Sequence, residues 1–238
     1  MQRLLSRRIR RCLGIIRQDR KTVERGIWRC HSQAGRPHYL GSVLRVQPDG
    51  HSICSGSTDK LLKLWDVATG ECRRTLNSHA GGVYCCAYSA DGATVLSGGD
   101  NKTIKLWSVA TGACIRNFIG HTRAVFACCF NPADGNTILS CSSDHTVKLL
   151  DVATSVCRRT LTGHTEAVWG CAFSPIHGNL VLSCNSDKRL KLWDATTGAC
   201  TATLEGHGRS IYYCSISRDG ATIASGDDFG KLKLWRRA

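Results

Sequence analysis

The fold class this sequence predicts is an all-β propeller of about five blades, and three observations carry the prediction. One short pattern recurs five times, ending at Trp65, Trp107, Leu150, Trp193 and Trp235 with spacings of 42, 43, 43 and 42 residues. Each copy closes on an apolar-Lys-Leu-Trp run such as Leu62-Lys63-Leu64-Trp65, and holds a serine four places before a turn position that is usually Asp: Ser55, Ser97, Ser140, Ser183 and Ser225. The segments between are short and lack helical periodicity. A period of about 40 to 45 residues with these features belongs to stacked four-stranded sheets, because one small sheet cannot bury both faces without neighbours.

From about Leu40 each unit reads as strand, Asp-Gly turn, strand, tight turn, strand, Thr-Gly turn and fourth strand. Asp49-Gly50, Asp91-Gly92, Asp134-Gly135 and Asp219-Gly220 are hairpin dipeptides, since Gly supplies positive φ without a Cβ clash and Asp tolerates it. Unit four departs with Ile176-His177-Gly178. Thr69-Gly70, Thr111-Gly112 and Thr197-Gly198 lead into the fourth strands, with Thr154-Ser155 in their place in unit three. The chain therefore divides into a basic extension, residues 1–37, and a repeat array, residues 38–238.

Composition bounds the function. The apolar content is 42%, and 24 Gly against 4 Pro suit a protein of many hairpins. No apolar run approaches the ~20 residues that span a bilayer, so no transmembrane segment is expected. The formal charge of +14 is uneven: residues 1–37 hold eleven Arg or Lys against Asp19 and Glu24. Within residues 1–18, Leu5, Ile9, Cys12, Leu13 and Ile16 gather on one side of a helical wheel, opposite Arg3, Arg7, Arg10, Arg11 and Arg17. Such an Arg-rich, acid-poor stretch reads as a mitochondrial transit peptide, a helix for a membrane or partner surface, or a solvated tail. Residues 1–25 also make nucleic acid a candidate partner, with affinity that falls steeply in salt.

The 15 cysteines sort by repeat position. Cys30, Cys72, Cys114, Cys157 and Cys200 share one slot, and Cys86, Cys128, Cys171 and Cys214 another, which predicts small hydrophobes at packing sites. There is no Cys-x-x-Cys, so neither zinc nor a disulfide framework is expected, and a reduced intracellular setting, cytoplasmic or nuclear, fits better.

With Gly120-His121, Gly163-His164, Gly206-His207 and the Trp65-Asp66 and Trp193-Asp194 pairs in place, the chain resembles the WD40-repeat family over roughly residues 40–235. The resemblance implies a buried His, Ser, Asp and Trp tetrad that locks each blade. Carried over by position, only His164, Ser183, Asp187 and Trp193 make a full set. Unit two has Asn101 at the Asp position, unit three has Leu150 for Trp, unit five has Phe229 for Asp, and unit one has Pro37 where His would fall. His164, Ser183 and Asp187 are also the residue types of a hydrolase triad. Their recurrence in degraded form at each blade points instead to mutual satisfaction of buried polar groups. No Gly-rich phosphate loop, paired-carboxylate motif or metal-ligand spacing stands elsewhere, so no cofactor and no enzymatic activity are expected.

Closure is the open question of the array, because no fourth strand follows Trp235. Residues 28–34 are in register to supply it through Cys30, giving a weakly closed ring; the alternative is an incomplete array that a partner completes. In the first strand, Val83, Cys86 and Tyr88 are spaced three and then two, as are Val125, Cys128 and Phe130, Val168, Cys171 and Phe173, and Ile211, Cys214 and Ile216. The broken alternation predicts a β-bulge. The residue after the first apolar one is Tyr84, Phe126, Trp169 or Tyr212, with Ser42 in unit one. The resemblance places this slot at the mouth of a central channel. Two readings follow: the aromatics grip an apolar or cationic side chain of a protein partner, or they plug the channel. Lys63, Lys105, Lys148, Lys191 and Lys233 repeat as strand-covering stems. The function expected is a noncatalytic scaffold that binds peptides or domains of other proteins, as part of a multi-protein complex.

Overall fold

A computed structural model describes residues 43–77, 79–176 and 178–236. Among these there is no helix, and the strands form five antiparallel sheets. Blade one contains β1 (Val43–Val46), β2 (Ser52–Gly56), β3 (Leu62–Asp66) and β4 (Cys72–Leu76). Blade two contains β5 (Val83–Tyr88), β6 (Thr94–Gly99), β7 (Ile104–Ser108) and β8 (Cys114–Phe118). Blade three contains β9 (Val125–Phe130), β10 (Thr137–Ser142), β11 (Val147–Asp151) and β12 (Cys157–Leu161). Blade four contains β13 (Val168–Phe173), β14 (Leu180–Asn185), β15 (Arg189–Asp194) and β16 (Cys200–Glu205). Blade five has three strands, β17 (Ile211–Ile216), β18 (Thr222–Asp227) and β19 (Leu232–Arg236).

Within each blade every strand pairs with the next in sequence, because each connection there is a tight turn. The Asp-Gly turns place Gly50, Gly92, Gly135 and Gly220 at positive φ. In unit three Ser155 takes the left-handed conformation at φ 63° where other units use Gly. The turn between second and third strands was not legible in detail: Lys60, Lys102, His145 and Lys188 each sit there at positive φ.

The core lies between blades. Leu62 and Leu64 of blade one pack with Cys86, Val95 and Trp107 of blade two. Ile104 and Leu106 of blade two meet Ile138 and Leu150 of blade three, and Val147 and Leu149 meet Val181 and Trp193. Leu190 of blade four meets Ile211, Ile223 and Trp235 of blade five. One face of each sheet thus offers its alternating Leu positions, and the next sheet answers with its Trp-side face. Burying each such Leu, Val or Ile stabilises the array by about 1.5–3 kcal/mol.

The first strands β1, β5, β9, β13 and β17 pack on one another in sequence, which sets them at the axis. Among the described residues the fifth sheet does not pack on the first as neighbouring blades do. Residues 1–37, with the closing strand expected at 28–34 and the basic helix of residues 1–18, lie outside the described residues.

Candidate functional site: an aromatic ladder at the axis

The first-strand bulge is present in blades two to five, and it falls on the aromatic slot. Val83 pairs with Gly99 and Cys85 with Gly98, so Tyr84 is the extra residue. Phe126, Trp169 and Tyr212 are skipped in the same way. An extra residue breaks the two-residue alternation and turns its side chain out of the sheet's packing face. The four side chains are partly buried and meet ring to ring. Tyr84 and Phe126 centroids lie 5.9 Å apart, Phe126 and Trp169 are stacked at 4.1 Å, and Trp169 and Tyr212 stand at 5.1 Å. The rings therefore form one continuous ladder across four blades.

Turn residues after each second strand flank the ladder. The backbone N–H of Asp100 donates to Gly82 O, of Ser143 to Ala124 O, of Ser186 to Ala167 O and of Asp228 to Ser210 O, at 2.9 to 3.2 Å. These acceptors lie two residues before each aromatic. Ser186 Oγ accepts the Trp169 indole N–H at 2.7 Å, which fixes that ring. Asp100 and Asp228 fill the same place beside Tyr84 and Tyr212. Burial, with the Asp100 charge nearby, pushes the Tyr84 hydroxyl up from its ordinary range. Asp228 Oδ1 is buried with no hydrogen-bond partner among the described residues. These two carboxylates escaped the sequence reading, which looked for acids only at the tetrad position.

His164 Nδ1 lies 3.2 Å from Asp187 Oδ2, and its Nε2 lies 2.7 Å from Ser183 Oγ. Trp193 Nε1–H donates to the same Ser183 Oγ at 2.8 Å. A carboxylate only accepts, so Nδ1 carries the proton and the Ser183 hydroxyl donates to Nε2. Burial pushes His164 below its usual range, while for Asp187 the upward push of burial is outweighed by hydrogen bonds from Asn185 and His164. Ser183 is fully buried and already holds two partners, so no substrate reaches it as it would a nucleophile.

Blade four is not alone in having a full set, which corrects the positional reading of unit five. His207 reaches Asp227 Oδ2 at 3.0 Å and Ser225 Oγ at 2.7 Å, and Trp235 Nε1 donates to Ser225 Oγ at 2.8 Å. The acid is Asp227, two residues after the serine, and Phe229 is exposed with Arg209 over its ring at 4.4 Å. Blade two uses Asn101 in the Asp role, 3.0 Å from His79 Nδ1. Blade three joins His121 to Asp144 and Ser140 at 2.8 and 2.9 Å, and Leu150 packs where Trp stands elsewhere.

The cysteine slots also divide. Cys86 and Cys128 are buried and Cys171 and Cys214 partly so, as packing residues. Cys72, Cys114 and Cys200 are exposed, against the expectation of a packing site, because outer strands carry one face to solvent. All thirteen described cysteines are free thiols. Lys63, Lys191 and Lys233 lay their ammonium groups 5.6 to 5.9 Å from the rings of Trp65, Trp193 and Trp235. A second bulge re-aims Arg73 and Arg158 onto Asp66 and Asp151, which closes the third-strand turn.

The family described as WD domain, G-beta repeat matches residues 30–66, 70–108, 112–151, 155–194 and 198–236. The chain belongs to the WD40-repeat family. Each WD40 match after the first begins just ahead of a fourth strand and ends with a third, so it straddles two blades. The chain is also similar to proteins named ribosome biogenesis protein BOP1 homolog. With that of Drosophila grimshawi it is 40% identical over 58 residues, 24% of this chain and 7% of the relative. With that of Drosophila melanogaster it is 39% identical over 57 residues, 24% of this chain and 6% of the relative. The chain thus spans a small fraction of the length of the curated relatives it matches. WD40 repeats of this kind form protein-interaction scaffolds, and no described helix is long and apolar enough to cross a membrane.

Proposed function

We propose that the protein is a noncatalytic interaction platform whose contact point is the ladder Tyr84, Phe126, Trp169 and Tyr212, and that it grips a basic side chain of a peptide or protein partner. The observation that carries this reading is the ladder itself: four partly buried rings in ring-to-ring contact at the axis, on bulges that turn them away from the blade cores. Asp100 and Asp228 stand at its two ends, and the second holds a buried acceptor oxygen with no donor among the described residues. A guanidinium or ammonium group laid on an end ring meets a π face and a carboxylate together, and each cation-π pair contributes about 0.5–2 kcal/mol. The buried tetrads support the noncatalytic part, since their serines are committed to His and Trp. The name of the BOP1 relatives is compatible with a place in a nuclear assembly, but their matched stretch is shorter than two blades and bears on the repeat rather than on a partner.

The test uses short peptides carrying one Arg or Lys, beside the same peptides with Gln, measured by calorimetry on the full chain. Binding of the basic peptides alone is expected, and it should weaken at least tenfold with Phe126→Ala plus Trp169→Ala and also fall with Asp228→Asn. Melting that drops with the ring substitutions while peptide binding stays unchanged would show that the rings only pack against one another.

A further inference from the structure

The outer edge of β19 has no neighbour among the described residues, and four copies of the same edge elsewhere in the molecule show what occupies it. Blades one to four each lay a fourth strand along the third, in one register. The first apolar residue of the third strand faces a large apolar one: Leu62 pairs with Leu76, Ile104 with Phe118, Val147 with Leu161 and Leu190 with Leu204. The lysine that follows faces Thr75, Asn117, Thr160 or Thr203, and the next leucine faces Arg74, Arg116, Arg159 or Ala202. Beyond one bulged residue, the Trp position faces Cys72, Cys114, Cys157 or Cys200. β4 and β12 carry the same five residues, Cys-Arg-Arg-Thr-Leu.

The side chains of β19 register what its edge lacks. Leu62, Ile104, Val147 and Leu190 are buried, whereas Leu232 and Leu234 are 78% and 68% exposed. Lys148 Nζ donates to Thr160 Oγ1 at 2.9 Å and Lys191 Nζ to Thr203 Oγ1 at 3.1 Å, both across to the fourth strand. Lys233 turns instead to a backbone carbonyl, Gly206 O, at 2.6 Å. The outermost strands of blades one to three carry Arg73, Arg74, Arg116, Arg158 and Arg159, and such charges hinder pairing with another chain. β19 has the composition of an interior strand, Leu-Lys-Leu-Trp-Arg, and stands at an edge all the same. An edge of that kind offers unpaired backbone N–H and C=O groups beside an apolar row.

We infer that β19 takes up an extended segment of a partner protein as the fourth strand of blade five, antiparallel to it. The segment places a large apolar residue opposite Leu232, Thr or Asn opposite Lys233, Arg opposite Leu234 and, past one bulged residue, Cys opposite Trp235. Its sequence therefore follows the order Cys, any residue, Arg, Thr or Asn, and Leu or Phe, which is the order in β4, β8 and β12. Backbone bonds to β19 supply the affinity, and the matched side chains supply the selectivity. The edge lies two strands out from Tyr212 in the same sheet, so this contact is separate from the ladder at the axis.

The probe is a synthetic peptide with the sequence of residues 155–162, Ser-Val-Cys-Arg-Arg-Thr-Leu-Thr, added to the full chain under a thiol reductant. Calorimetry reads binding, and amide hydrogen exchange reads where the peptide lies. In the free chain the amides of β19 that β18 leaves unpaired should exchange fast, and saturating peptide should slow them at least tenfold. Binding should weaken at least tenfold with Leu161→Asp in the peptide, and equally with Leu232→Lys in the chain. Unchanged melting checks the fold of the Leu232→Lys chain; if it melts lower, the peptide substitution carries the test on the wild-type chain. Amides of β19 that are already as slow in the free chain as those of β15 overturn the proposal, since the edge is then covered from within the molecule. Slowing that follows chain concentration without peptide also overturns it, because a second copy then takes the edge. So does a peptide that leaves β19 exchange unchanged, or that binds the Leu232→Lys chain, shown to melt as the wild type does, as tightly as the wild type.

Discussion

Blades four and five have nearly the same third strand, Leu190-Lys191-Leu192-Trp193 and Leu232-Lys233-Leu234-Trp235, yet they meet opposite environments. Leu190 is fully buried and Leu232 mostly exposed. Their polar locks, however, are alike: His164 and His207 each join a serine and an aspartate, and each serine accepts a Trp indole N–H. The lock is made within one sheet and the turns that border it, so it forms whether or not a neighbour follows. Apolar burial is made between sheets, so the same residues are core in one blade and surface in the next.

The largest test of this contrast is the apolar one. Leu190→Ala should cost about 2–5 kcal/mol, read from the urea unfolding midpoint, because it leaves a cavity between blades four and five. Leu232→Ala should cost under about 0.5 kcal/mol in dilute monomer. Equal losses would show that Leu232 is covered in solution and would undo the contrast. The polar lock comes next. Ser183→Ala leaves His164 Nε2 and the Trp193 indole N–H without their shared partner in a buried site, for about 1–3 kcal/mol. Ser55→Ala in blade one removes the acceptor of Trp65 at a more open site, and about 1 kcal/mol is expected. A cost for Ser55→Ala as large as that for Ser183→Ala would mean that the greater exposure of the site does not weaken the lock.

Acid gives the smallest effect and a defined direction. Burial holds His79 and His164 below their ordinary value of 6.5, so the neutral ring is favoured in the fold. The stability this provides is complete above about 6.5 and is lost as pH falls from there towards the folded-state values. Asp227, held down first by its His207 hydrogen bond, and Asp187 contribute stability that is present above about 3.9 and disappears at lower pH. Between neutral pH and pH 5 the unfolding midpoint should therefore drop, and His164→Gln should flatten that part of the curve. An unchanged slope in the variant would show that His164 binds its proton equally well in the folded and the unfolded protein.

Much of the ladder could be read in advance, because the spacing of Val83, Cys86 and Tyr88 breaks a strict two-residue period and only a bulge accommodates that. Its acidic flanks could not, since Asp100 and Asp228 gain their meaning from backbone bonds to Gly82 and Ser210, just ahead of another strand. Asp227 was missed because a fixed spacing from the serine pointed to Phe229, whereas blade five reaches the histidine from two residues after Ser225. The exposed Cys72, Cys114 and Cys200 were misread because regular recurrence marks a position in the repeat and says nothing of which face of an outer strand it occupies.

By itself the sequence determined the number of blades, the Asp-Gly and Thr-Gly turns between their strands, the bulge and the aromatic slot, because these depend on short-range backbone preference and on a repeat period. The tertiary structure decided that the rings touch in one ladder, that Asp227 completes a fifth-blade lock, and that Leu232 and Leu234 face solvent. Those outcomes depend on what lies across the gap between sheets, and a residue's own strand carries no record of its neighbour.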